Sequence, residues 1–322
     1  MIKIQFEEPS SEEWSMWKAR CQKATGIIIE DRSKCIVKKL DKSLYKEMKE
    51  VYFSEEGPFR GKCAYCESFI ASDQPGDLDH YRPKAKVKDE HDQLVEILDN
   101  QGKKSPHPGY YWLAYDWRNL LPCCRDCNSP SKRKTKGNLV GKGYKFPVIG
   151  SHAVCPGKEA DEQPLLINPM VEDPSDHLEI DSTGIAIWKT KRGEVSIDIF
   201  GLNKREALVR MRKEVFEAAS EAMLTLFDAS RPIEPESTSL NSTPKTPEKK
   251  ERVLRCIEKL EAFKSGRAAY SAAGRAGIDS EFSACYDTAS WLCIIYGSLC
   301  NSNSNAENIL GSACQDTNHS NE

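Results

Sequence analysis

The sequence predicts an α+β protein in which a small, cysteine-rich core is embedded in a largely helical chain. Two Cys-x-x-Cys pairs, Cys63/Cys66 and Cys124/Cys127, lie far apart in the sequence, and the segment that contains them has only short strand-like runs. Apolar residues recur at helical spacing on both sides of this segment. These observations together favour short strands at the centre and helices around them.

Composition excludes several classes of protein. With 322 residues, 39% hydrophobic and 30% charged, the chain has the composition of a soluble protein with a sizeable core. Its first residues, MIKIQFEE, lack the basic region and long apolar stretch of a signal peptide. Residues 291–296, the longest apolar run, are too short to span a bilayer. We therefore expect a cytoplasmic protein with no membrane partner.

Residues 1–54 form a predicted N-terminal helical segment. Ser10 or Ser11 can cap a first helix, and a second helix should follow Asp41. Apolar residues recur on one face of each helix: Trp14, Trp17 and Cys21 in the first, and Leu44, Met48, Val51 and Tyr52 in the second.

Residues 55–150 form the predicted core. Residues 76–80 and 117–121 have the character of short strands. Between them, residues 89–100 indicate either a helix or an ordered insertion, and residues 103–109 are rich in residues that break regular structure.

Residues 151–228 should hold a hairpin and a long helix. Residues 178–180 and 185–188 alternate around a turn, which predicts the hairpin. Asn203 with Glu206 three residues later resembles a capping box and predicts the start of the helix.

The C-terminal third should contain less regular structure. Residues 229–250 are rich in Ser, Thr, Pro and Glu, which predicts a mobile linker. Residues 251–300 form a helical region, with helices over 252–264 and 282–299, and residues 301–322 form a disordered tail. The chain has no glycine-rich phosphate loop, so we expect it not to bind ATP by itself.

The four paired cysteines predict a closed, structural zinc site. A two-residue gap lets both thiolates of a pair reach one ion at about 2.3 Å. Cys123 is an adjacent alternative to Cys124, but only Cys124 keeps the spacing. The odd total of 13 cysteines argues against a disulfide framework. The simpler interpretation is that these are ordinary buried thiols.

An Asp-His pair and two asparagines lie near these cysteines. The Asp79 carboxylate suits Mg²⁺ or Mn²⁺, and the imidazole of His80 could deprotonate water. Asn119 could orient that imidazole, and the side-chain carbonyl of Asn128 could be a second ligand of the hard cation. The alternatives are a structural histidine, a turn asparagine at 119 and a helix cap at 128.

Two basic runs without acidic residues flank these positions, at residues 82–88 and 131–150. Clustered bases beside a metal site are what a phosphate backbone requires. The alternative is a solvated charged surface. The bases expected to contact the backbone are Arg82, Lys84, Lys132 and Arg133.

The order of these motifs resembles that in the HNH endonucleases. The longer sequence segments around them resemble the PtuB-type HNH proteins of Septu anti-phage defence systems, some of which accompany retrons. The similarity covers about residues 40–225. It is carried by residues 63–67 (CAYCE), 76–84 (GDLDHYRPK), 111–122 (YWLAYDWRNLLP), 145–147 (KFP), 165–169 (LLINP) and 199–203 (IFGLN).

The resemblance implies a zinc-stapled ββα-metal (HNH) core. It implies His80 as general base, Asp79 and Asn128 as ligands of a catalytic Mg²⁺ or Mn²⁺, and Asn119 as a positioning residue. The last HNH position is Asn here rather than His. The implied partner is a PtuA-type ATPase in a bacterial cytoplasm. For members encoded with retrons, a retron reverse transcriptase and its multicopy single-stranded DNA are further partners that the resemblance allows.

Two other functions fit the same sequence. One is a non-catalytic zinc module that binds nucleic acid or protein; the other is an adaptor that docks an ATPase through its helices. We expect DNA rather than RNA as substrate, yet the sequence does not decide between the two, because a set of residues that recognises the 2′-OH cannot be read from it.

Overall fold

The computed structural model describes residues 1–34, 36–37, 40–70, 76–98, 101–131, 140–230 and 246–284. Its helices are α1 (Glu12–Ser33), α2 (Ser43–Phe53), α3 (Arg125–Asn128), α4 (Lys191–Ile199), α5 (Glu206–Ser230), α6 (Thr246–Lys264) and α7 (Ser271–Ala284). Its strands are β1 (Gly76–His80), β2 (Glu96–Leu98), β3 (Lys104–Pro106), β4 (Leu120–Cys124), β5 (Val148–Ile149), β6 (Gln163–Pro164), β7 (Leu178–Ile180) and β8 (Ala186–Trp188). Helices and small two-stranded sheets together confirm the α+β class.

The chain divides into two compact units, residues 1–212 and 213–322. Aromatic and aliphatic side chains fill the interior of the first unit, among them Tyr52, Phe59, Tyr65, Tyr110, Leu120, Leu121, Phe146, Leu166, Ile167 and Phe200. In the described helices, none is both long and apolar enough to cross a bilayer.

The two predicted N-terminal helices are confirmed. Ser11 caps α1, because its side chain accepts a hydrogen bond from the Trp14 amide at 3.2 Å. The Trp17 indole donates to the Leu44 carbonyl at 3.0 Å and so joins α1 to α2. Before α2, the Asp41 carboxylate accepts from the Ser43 amide at 2.9 Å.

β1 and β4 form a two-stranded antiparallel sheet in the first unit. His80 pairs with Leu120, and Gly76 pairs with Cys124. The predicted strand over residues 76–80 is therefore confirmed. The second predicted strand is shifted: Trp117–Asn119 form a 3-10 turn, and the strand begins only at Leu120.

The helical interpretation of residues 89–100 is wrong for its described part, which is an ordered insertion. Asp89 accepts hydrogen bonds from the amides of His91 and Gln93 with one carboxylate oxygen, which closes a turn instead of a helix. Strand β2 then pairs with β3. Local side-chain hydrogen bonds of Asp compete with helix formation, and here they prevail.

The predicted hairpin is confirmed by the antiparallel pairing of β7 and β8. The predicted cap is wrong. The Asn203 amide instead forms two 2.8 Å hydrogen bonds with the backbone of Ala186, and α5 begins at Glu206. Asn203 thus extends the edge of the hairpin rather than capping the helix.

The second unit contains the packed part of the C-terminal helices. Its core consists of Ala219, Ala222, Met223, Leu226, Phe227, Leu260 and Phe263, from α5 and α6. The predicted helix over residues 252–264 is confirmed within α6. Residues 231–245 of the predicted linker, residues 285–299 of the predicted last helix and the predicted tail lie outside the described residues.

Gly109 allows a close approach between two loops of the core, and we expect Gly109→Ala to be destabilising. Gly109 has φ +81°, and an added Cβ would lie 2.4 Å from the Ala85 nitrogen. Left-handed strain costs about 1–3 kcal/mol, and the backbone clash adds to it. Gly102→Ala is the matched control, because Gly102 has φ +77° with nothing within 4 Å. Equal urea midpoints for the two variants would contradict the close approach.

Candidate functional site

Four cysteines from the two distant pairs meet in the interior of the first unit. The sulfurs of Cys63, Cys66, Cys124 and Cys127 all lie within 4.8 Å of one another. Those of Cys66 and Cys124 are 3.7 Å apart, close to the spacing of about 3.8 Å in a tetrahedron with 2.3 Å zinc–sulfur bonds. Cys123 is not in this group; its thiol donates to the Cys124 carbonyl. The four thiols could therefore hold a metal ion such as zinc.

Backbone hydrogen bonds bring the two pairs together. The Cys63 amide donates to the Ser68 carbonyl at 2.9 Å and so folds the first pair into a tight loop. The Ala64 amide inside this loop donates to the Pro122 carbonyl of β4 at 2.9 Å. Because β4 leads directly into α3, the second pair lies against the first.

Two buried arginines lie near the sulfurs. Arg205 donates to the Cys127 sulfur at 3.2 Å, and Arg212 is also almost fully buried. Hydrogen bonds from the neighbouring thiols lower the pKa of Cys66 well below its usual range, whereas burial raises the pKa of Cys63. Four thiolates around Zn²⁺ carry two net negative charges, which two guanidinium groups would neutralise.

We expect Arg205→Met to make zinc easier to remove. The variant loses both the hydrogen bond to the Cys127 sulfur and a buried positive charge. Residues that support metal ligands in this way typically contribute about 10–100-fold to metal affinity. Zinc transfer to a chromophoric chelator measures the change, with Arg210→Met, at an exposed position in α5, as control. Unchanged transfer from the Arg205 variant would contradict this role.

His80 lies at the end of β1 beside Lys84 and is 8% exposed. Its Nε2 is 3.0 Å from the Ala114 carbonyl oxygen, which can only accept, so Nε2 carries the proton of the neutral ring. Burial and the ammonium of Lys84 lower the pKa of His80 to about 3, which keeps the ring neutral at pH 7. Nδ1 lies 3.4 Å from the Lys84 ammonium, longer than a typical hydrogen bond. The rings of Tyr45 and His80 pack nearly perpendicular to each other, with their centroids 5.4 Å apart.

Asn119 acts on His80 only through the backbone. Its amide nitrogen donates to the carbonyls of Arg82 and Leu113, at 3.0 and 3.2 Å, and its oxygen accepts from the Arg82 amide at 2.7 Å. The expected direct contact with the imidazole is therefore wrong. Asn119 instead joins the segment after β1 to the turn whose next carbonyl, that of Ala114, holds His80.

Asp79 is paired within the protein. One carboxylate oxygen lies 3.0 Å from the Lys142 ammonium, and the other accepts from the Tyr65 hydroxyl at 2.7 Å. Both oxygens are thus engaged within the protein, and the adjacent ammonium opposes a second positive charge, so in this conformation Asp79 does not fit the expected role of metal ligand. Asn128 ends α3 half-buried, and its backbone carbonyl accepts from the Gly143 amide at 2.7 Å.

The predicted backbone-contacting bases have different environments. Arg82 is partly exposed and forms a 2.8 Å ion pair with the buried Glu162, so its guanidinium is already paired within the protein, and its contact with a phosphate backbone stays a prediction. Lys84 is half-buried beside His80, where it could meet a phosphate. Lys132 and Arg133 lie outside the described residues.

Sequence reasoning missed three residues of this region: Tyr65, Lys142 and Arg205. Lys142 belongs to a basic run, yet it is 0% exposed, and Lys145 in the same run is also buried. The GKG context of Lys142, residues 141–143, was the one available signal, because flanking glycines allow a backbone to approach other segments closely.

The chain is similar to Septu defence proteins over about half its length. It is 41% identical over 152 residues to Septu protein PtuB of Bacillus mycoides (strain KBAB4), which is 46% of this chain and 45% of that protein. It is 24% identical over 167 residues to Septu protein PtuB of Bacillus thuringiensis, 52% of this chain and 46% of that protein.

A second Septu component is also similar. The chain is 32% identical over 162 residues to Septu protein PtuA of Bacillus mycoides (strain KBAB4), 49% of this chain and 20% of that protein. The chain thus spans about half the length of the PtuB relatives and a fifth of the PtuA relative. No family model matches the chain. No solved structure matches it either.

Proposed function

We propose that this chain is an HNH-type endonuclease of a Septu-like anti-phage defence system, which hydrolyses phosphodiester bonds with His80 as general base. The observation that supports this most is the pairing of β1 with β4 beside the four-cysteine cluster, with a neutral imidazole at the end of β1. The homology to PtuB proteins supports the biological setting.

The surroundings of the His80 ring suit this reaction. The Ala114 carbonyl fixes the proton on Nε2, so the lone pair of Nδ1 is available to take a proton from water. The Lys84 ammonium lies beside Nδ1, where it would neutralise a non-bridging phosphate oxygen. A bound phosphodiester adds negative charge, which raises the pKa of a nearby imidazole and strengthens it as a base.

Zinc would be structural in this proposal. Four thiolates leave no open coordination position, so the ion would hold the two cysteine pairs together without contacting the substrate. Mg²⁺ or Mn²⁺ is the cation that the resemblance implies for the reaction, with Asp79 and Asn128 as ligands. Asp79, however, already pairs with Lys142 and Tyr65.

A PtuA-type ATPase is the proposed partner, and it would restrain or direct the nuclease. The similarity between this chain and a PtuA protein supports such a partner. Because this sequence has no phosphate loop, ATP binding would fall to the partner and cleavage to this chain. DNA is the proposed substrate, with RNA as the alternative. A retron reverse transcriptase and its single-stranded DNA are further proposed partners if a retron is encoded nearby.

The test is a cleavage assay with the full chain, alone and co-purified with the neighbouring ATPase. Supercoiled plasmid, single-stranded DNA and RNA are each incubated with Mg²⁺, Mn²⁺ or EDTA. We expect nicking or linearisation of DNA when the partner is present. Nucleic-acid binding without cleavage under every condition would contradict the nuclease and favour the non-catalytic zinc module, a function with which the internal pairing of Asp79 is also compatible.

A further inference from the structure

Lys142 places a positive charge inside the core, next to the backbone of His80, the proposed general base. Its ammonium is 0% exposed and lies 3.0 Å from an Asp79 carboxylate oxygen and 2.7 Å from the His80 carbonyl. A buried ammonium without a partner would be very costly, so this pairing is a strong constraint on the conformation.

The backbone around Lys142 is attached to the second cysteine pair. The Lys142 amide donates to the Cys127 carbonyl at 2.8 Å, and the Gly143 amide donates to the Asn128 carbonyl at 2.7 Å. Gly141 has φ +114°, and a Cβ there would lie 2.6 Å from the Ser129 carbonyl oxygen. The ammonium is therefore held in place by the same segment that carries two of the four sulfurs.

This arrangement conflicts with a divalent cation on Asp79. A doubly charged ion bound to the same carboxylate would lie about 4 Å from the ammonium, where two unit charges already repel by about 4 kcal/mol at an effective dielectric constant of 20. The second carboxylate oxygen accepts the Tyr65 hydroxyl, so it too is engaged within the protein.

We propose that Lys142 is the resident cation of Asp79, that it excludes a divalent metal ion from this carboxylate, and that it positions His80 by holding the end of β1. The geometry of one ammonium shared between the Asp79 carboxylate and the His80 carbonyl carries the proposal. It rests on the proposed function only for the role of His80.

Binding of Mn²⁺ to the full chain, followed by the electron paramagnetic resonance signal of the free ion, tests the exclusion. We expect the wild type and Asp79→Asn to give the same titration, because Asp79 contributes no site. Lys142→Met should gain one Mn²⁺ per chain, and the double variant Asp79→Asn/Lys142→Met should lose it again. Lys86→Met, at an exposed lysine, is the matched control and should behave as wild type.

A stoichiometric Mn²⁺ site in the wild type that Asp79→Asn removes would overturn the proposal. A folded Lys142→Met protein that gains no site would do the same. If Lys142→Met does not fold, the comparison of wild type with Asp79→Asn still decides the matter. No cleavage is measured, so an inactive wild type would defeat the proposed function and leave this result unaffected.

Discussion

His80→Ala is expected to lower the rate of phosphodiester cleavage by about 10²–10⁴-fold, the usual contribution of a general base. The fold and the zinc content should persist, because the cysteine cluster does not include this side chain. The measurement is the initial rate of plasmid nicking by the chain with the proposed ATPase partner, together with a thermal melt and zinc analysis of the same samples.

Two further variants make this result interpretable. His91→Ala changes a largely exposed histidine and should leave the rate unchanged. His80→Asn retains more of the buried volume than alanine, so it separates loss of the base from loss of packing. Full cleavage by a folded His80→Ala protein would refute His80 as the base.

Cys66→Ser is expected to remove bound zinc and to destabilise the first unit. The zinc-binding energy of a four-thiolate site is also folding energy, and it is comparable to the total stability of a domain. For a unit of this size, a loss of about 5 kcal/mol would lower the melting temperature by at least about 10 °C. Plasma mass spectrometry and differential scanning calorimetry measure the two effects.

The controls for this variant come from cysteines outside the cluster. Cys155 is exposed and unpaired, so Cys155→Ser should keep both zinc and melting temperature. Cys123→Ser should keep its zinc, since the Cys123 sulfur is not among the four clustered sulfurs. A Cys66→Ser protein with full zinc content and an unchanged melting curve would count against the metal centre.

The features that the sequence predicted depend mainly on local patterns. The spacing of the cysteine pairs limits which thiols can share an ion, and the structure groups the predicted four. The β1 strand, the hairpin of β7 and β8, and α1 with its Ser11 cap also follow from short-range periodicity and turn residues.

The features that it did not predict depend on long-range contacts. A lysine in a basic run is expected at the surface. Only the folded chain shows that Lys142 is enclosed by β1 and the second cysteine pair. The sequence around Arg82 likewise predicts an exposed side chain. It gives no sign that Arg82 pairs with Glu162, which lies far along the chain. The sequence predicts that Asn119 orients the His80 imidazole and that Asn203 caps a helix. In the structure, the side chain of each asparagine hydrogen-bonds to a backbone segment brought close by folding.

The central claim is that one zinc ion joins the two cysteine pairs, since every other proposed role depends on it. Zinc K-edge X-ray absorption of the purified wild-type chain tests this claim most directly. Our account predicts one zinc per chain with four sulfur neighbours at about 2.3 Å and no nitrogen or oxygen ligand. A chain purified without metal, or a first shell that contains nitrogen or oxygen, would contradict it.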